Sequence, residues 1–66
     1  MDQLALRTWD LLDDTQPESG YTVDALRTAT GAAYHDVKVA LLQLQDIDAA
    51  RCHDLSVYYA GSQRLR

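Results

Sequence analysis

The stretch YTVDALRTATGAAYHDVKVALLQL, residues 21–44, decides how this chain folds. Thr22 precedes an amphipathic run, and its hydroxyl can accept a hydrogen bond from a helix N-terminus. Val23 and Leu26 lie three apart and face the same way. Gly31 then stops this helix, after about Ala29, in the left-handed position just past a helix end. A further helix is predicted from about Ala33 to Asp46. Its inner stripe is Tyr34, Val37, Ala40, Leu41 and Leu44, the cleanest 3.6-residue period in the chain.

Working outward, residues 3–14 read as a first helix with Asp2 as its cap. At 100° per residue, Leu4, Ala5, Thr8, Trp9, Leu11 and Leu12 form one stripe, and Leu6 falls on the opposite, exposed side. Residues 15–20 form a loop by their Pro, Ser and Gly content. After the third helix the period changes to two, which predicts a hairpin reversing at Asp54-Leu55. In that register Cys52 faces Val57 and Ala50 faces Tyr59 on the inner side. Arg51 lies across from Tyr58 on the outer side, as a cation–π pair. Residues 1–60 make one domain, and 61–66 are expected as a flexible tail.

The chain has 66 residues, one domain with a marginal core and little room for a recessed catalytic pocket. Its single cysteine, Cys52, excludes an internal disulfide, and with no signal peptide a cytoplasmic location is expected. The apolar runs are too short to span a bilayer, so no membrane role is expected. Formal net charge is −4. Residues 1–33 hold two Arg against six acids, whereas residues 34–66 balance four cations against four Asp. A nucleic-acid binder usually has the opposite sign, because phosphate contacts dominate its affinity. Nine of the ten acids are Asp and there is one Lys, a bias shared with salt-adapted proteins. In that setting an acidic surface reflects solubility.

The order helix, short strand, helix, glycine turn, helix and hairpin resembles the winged helix-turn-helix superfamily. The resemblance is carried by Tyr21-Thr-Val-Asp-Ala-Leu26, Thr30-Gly31, and Val37, Leu41 and Leu44, and covers roughly residues 4–60. It implies an α+β, mostly helical fold, three helices with a short C-terminal β-hairpin wing. It also implies that the third helix enters the DNA major groove while the wing touches the backbone. By position, the outer face of that helix is His35, Lys38, Val39, Leu42 and Asp46, and the wing offers Arg51, His53 and Tyr58. Two features depart from the pattern. Lys38 is the one cation on the face, and Asp48 stands where a glycine often ends the helix.

Cys52 and His53 are adjacent on a strand and point to opposite sides, so they cannot act together on a substrate. No spacing of Cys, His or Asp matches a metal site. The chain is therefore expected to be a non-enzymatic binding module with no cofactor, no metal and no small-molecule substrate. The first expectation is a DNA-binding transcriptional regulator, a homodimer contacting duplex DNA through His35, Lys38, Arg51 and Tyr58; Arg64 and Arg66 in the tail add two charges, which contribute little in physiological salt. The alternative is an acidic protein–protein interaction module, an assembly part or an inhibitor, using Leu6, Val39 and Leu42. Exposed aliphatics three apart mark such a surface.

Overall fold

A computed structural model describes residues 3–14, 20–54 and 56–65. The elements run α1 (Gln3–Asp13), α2 (Val23–Thr30), α3 (Tyr34–Asp46), β1 (Ala50–His53) and β2 (Val57–Ala60). The chain is thus a small, mostly helical α+β domain with a two-stranded antiparallel hairpin. The expected cap Asp2, residues 15–19, Leu55 of the hairpin turn and Arg66 lie outside the described residues.

The second helix begins and ends where its local chemistry requires. Thr22 keeps an extended backbone, and its hydroxyl accepts the Ala25 N–H at 3.1 Å. Gly31 sits at φ 75°, and its N–H donates to the Arg27 carbonyl at 2.8 Å. Three residues later α3 starts, so a short turn joins α2 to α3. The core joins Ala5, Trp9 and Leu12 of α1, Leu26 of α2, and Val37, Ala40, Leu41 and Leu44 of α3 to Ala49, Ala50 and Tyr58. Leu26 is the one described residue of α2 that is buried.

Thr8 is fully buried in α1, and its hydroxyl has no hydrogen-bond partner among the described residues. A hydroxyl taken out of water without a partner costs free energy that a methyl group of the same shape avoids. Thr8→Val is expected to stabilise the domain by about 1 kcal/mol. In thermal denaturation that appears as a rise of roughly 4–8 °C. A fall would show that the hydroxyl is satisfied in solution.

The hairpin forms in a register one residue away from the expected one. Ala50 pairs with Ala60, Arg51 with Tyr59, Cys52 with Tyr58 and His53 with Val57. Three residues rather than two close it. Asp54 turns at φ 54°, and the Ser56 N–H donates to the His53 carbonyl at 3.3 Å. A two-residue loop of the usual hairpin type demands positive φ that Leu resists, and one more residue relieves that demand. Because side chains alternate, this slip exchanges the faces of β2. Tyr58, expected outside against Arg51, is 5% exposed and lies in the core. Tyr59 takes the place across from Arg51 instead.

Two other expectations fail for the same kind of reason. Leu6 is half-buried and packs against the core, because α1 is flanked by α2, α3 and β2 and is enclosed over more than one stripe. Tyr34, assigned to the inner stripe, is 52% exposed, since at the first residue of α3 the neighbouring elements no longer cover it. The extended piece at Tyr21 has a definite role. Its N–H and carbonyl both bond to Tyr58 at 2.7 Å, an antiparallel bridge that adds one rung to the free edge of β2.

Residues 61–65, read as a loose tail, return to the body of the domain. The Gly61 N–H donates to the Ala49 carbonyl at 3.0 Å, and the Gln63 N–H to the Asp48 carbonyl at 2.9 Å. Arg64 clasps Asp13 with two hydrogen bonds, 2.9 and 3.2 Å, and lies 5.5 Å over the Trp9 ring. Leu65 packs against the core. Among the described residues no helix is long and apolar enough to cross a membrane.

Candidate functional site on the outer face of the third helix

Helix α3 turns Val37, Ala40, Leu41 and Leu44 to the core. The opposite side is exposed and holds His35, Val39, Leu42 and Asp46. At 100° per residue these four fall within an arc of about 60°. Val39 is 38% and Leu42 60% exposed, so this face carries adjacent aliphatic side chains in water. Tyr34 and Ile47 are also exposed at the two ends of the helix, but at 100° per residue each falls roughly 110° from the centre of this stripe, on opposite flanks. Ile47 escaped the sequence reading; it is the residue that caps α3, just past its last turn.

Of the residues expected to contact nucleic acid, the structure brings Lys38 and Tyr58 together, and Tyr58 itself is buried. His35 is on the exposed stripe. Lys38 lies on its flank, half-buried, and its ammonium donates to the Tyr58 hydroxyl at 3.3 Å and sits 5.8 Å from that ring's centre. The cation–π partner of Tyr58 is therefore Lys38, not Arg51. The accepting hydroxyl holds the Lys38 ammonium above its ordinary pKa. Tyr58 is itself 5% exposed, and its hydroxyl is the acceptor that Lys38 uses. Arg51 lies on the outer side of the hairpin, half-exposed.

Arg51 is held by Asp48. Its guanidinium donates to both carboxylate oxygens at 3.0 and 3.1 Å and also to the Ser62 hydroxyl at 2.8 Å. Asp48 itself has φ 59°, the left-handed conformation that ends α3. Aspartate reaches that region at some cost, and the fork from Arg51 fixes it there. The Arg51 hydrogen bonds hold the Asp48 carboxyl below its ordinary pKa. A carboxyl whose folded pKa is lowered stabilises the fold above its unfolded pKa, and that contribution is lost as pH falls through the folded value. Asp48→Asn is therefore expected to be less stable than the parent at neutral pH. The gap should close as the solution is acidified past the ordinary carboxylate range. Chemical denaturation at a series of pH values reads this out, and a gap independent of pH would contradict it.

The same pairing recurs across the surface. Arg27 bonds Asp24 at 3.1 Å, Arg51 bonds Asp48, and Arg64 bonds Asp13. Of the five described Lys and Arg residues, three are thus neutralised by aspartate. Arg7 and Lys38 remain without a carboxylate among the described residues, and Arg7 is on α1, away from this face. No family model, curated protein or solved structure matches the chain.

Cys52 lies on the inner side of β1, while His53 lies on the outer side, 3.2 Å from the Asp54 carboxylate. No group of three or more His, Cys, Asp or Glu side chains that could hold a metal occurs among the described residues. What the outer face of α3 can do chemically is bury aliphatic surface and exchange a few polar hydrogen bonds.

Proposed function

We propose that this chain is a non-enzymatic winged helix-turn-helix module whose working surface is the outer face of α3, and that this face binds protein. The element order supports the superfamily reading, as do the Tyr21–Tyr58 rung beside the hairpin and the three-residue turn between α2 and α3. The observation that carries the choice of partner is the exposure of Val39 and Leu42 on a face with one cation, Lys38. Fully burying a leucine side chain contributes about 1.5–3 kcal/mol. A duplex binder relies instead on many phosphate contacts, commonly about 6–10. The chain holds six Lys and Arg against ten acids, and three of the described cations already face aspartate, so such a set of contacts would draw on nearly every cation it has.

A DNA-binding transcriptional regulator is the second reading. It is favoured by the position of the hairpin beside α3, with Arg51 and His53 exposed on its outer side. An exposed ion pair exchanges one partner for another readily, so Arg51 can meet a phosphate in place of Asp48.

Two measurements separate the readings. Titration with duplex DNA at low salt is expected to show no saturable binding. A salt slope near −4 or steeper, equivalent to about four or more phosphates, would transfer the assignment to DNA. The double variant Val39→Asp and Leu42→Asp is expected to abolish protein association while leaving the helical circular dichroism intact. Unchanged association in that folded variant would remove α3 as the binding face.

A further inference from the structure

We infer that the partner on this face is a second copy of the chain, with the two α3 helices packed antiparallel about a two-fold axis. The inference rests on the reading of α3 as a protein-binding face and names its occupant. The exposed stripe is His35, Val39, Leu42 and Asp46, with spacings of four, three and four. That pattern reads the same from either end, and the midpoint of Val39 and Leu42 is also the midpoint of His35 and Asp46. A two-fold axis through it brings Val39 against the partner's Leu42 and Leu42 against the partner's Val39. It also brings His35 against the partner's Asp46, where an imidazole N–H donates to a carboxylate. Each surface patch thus meets its own copy, as an interface with two-fold symmetry requires.

The alternatives are worse for definite reasons. Parallel packing sets Asp46 beside the partner's Asp46, two like charges with no donor between them, and places the helix dipoles side by side in the same direction. Antiparallel packing opposes those dipoles. The remaining charges of the helix do not block it: Asp36 points about a quarter-turn away from the stripe, and Lys38 is drawn toward Tyr58. An aliphatic pair flanked by a donor at one end and an acceptor at the other fits its own reverse and poorly fits an evenly charged partner.

The contact is one helix face wide, so it falls below the usual size of a stable interface, about 1,200 Å² in total. The dimer is accordingly reversible, dissociating in the micromolar range. Mass action then stabilises a domain whose own core is small.

Sedimentation equilibrium of the intact chain from about 10 µM to 1 mM tests the inference over the affinity range of weak interfaces. The expected result is a rise from the 7.4 kDa monomer toward twice that mass. His35→Asp, which sets carboxylates face to face, should weaken association about tenfold or more. Adding Asp46→Lys to it should restore association, because the pair is then opposite in charge again. Circular dichroism of each variant establishes that it is folded. A monomer at every concentration overturns the inference and leaves the protein-binding reading to the Val39→Asp and Leu42→Asp experiment. A dimer indifferent to those two aspartates overturns both. A dimer that requires Val39 and Leu42 but is not restored by the charge exchange overturns the antiparallel pairing.

Discussion

Leu26→Ala is expected to leave this domain largely unfolded at 37 °C, with a loss of about 3 kcal/mol. The reason is the position of this one side chain. Helix α2 has eight residues, too few to persist in water by itself. Leu26, at 0% exposure, is its buried anchor, with Val23 partly covered beside it. Truncation removes the transfer free energy and leaves a cavity in the core under α2 that the short helix cannot fill by moving without losing its cap contacts. A domain this small has little stability in reserve, so a shift of roughly 15 °C or more in the melting temperature follows. Thermal denaturation by circular dichroism measures it. A shift below about 4 °C, the size of a 1 kcal/mol change, would mean that α2 is held by its polar contacts instead.

The second large effect is expected at Gly61. A Cβ built there would lie 2.2 Å from the Asp48 carbonyl oxygen and 2.8 Å from its carbon. Those atoms are backbone and cannot rotate aside. The same carbonyl accepts the Gln63 N–H, while Gly61 donates to Ala49, so moving the strand end apart breaks both bonds. It also disturbs Asp48, whose left-handed turn ends α3. Gly61→Ala should cost about 3 kcal/mol, the upper part of the range for overpacking. Urea denaturation with the folded baseline intact provides the value. A loss under about 1 kcal/mol would show that the tail can lift from Asp48 without consequence.

These two sites differ in how much of their importance the sequence carries. Leu26 was legible: it follows a cap at Thr22 and precedes a stop at Gly31, and its spacing from Val23 assigns it to the inside. Gly61 was read as the start of a loose tail, because its close neighbour is thirteen positions back along the chain. The candidate site divides similarly. Exposure of His35, Val39 and Leu42 follows from the helical period once Val37, Leu41 and Leu44 are assigned inward. Leu6, placed outside by the same period, is covered because its helix has neighbours on several sides.

The sequence by itself determined the helix boundaries, to about one residue, the cap, the glycine stop and the presence of a terminal hairpin. Each of these depends on residues within a few positions of one another, where backbone hydrogen bonding and side-chain period are decisive. Only the tertiary structure decided which residues of the hairpin face inward, because a change of one residue in loop length reverses every side chain of β2. That choice buried Tyr58 and gave its hydroxyl to Lys38. Tertiary structure also decided how the cations are spent: Arg64 reaches Asp13 across 51 positions of sequence. Charge counting along the chain cannot anticipate such a pairing, since it depends on which surfaces the fold brings together. It is this pairing, joined to the two exposed aliphatics of α3, that turns the reading from a phosphate backbone toward a protein surface.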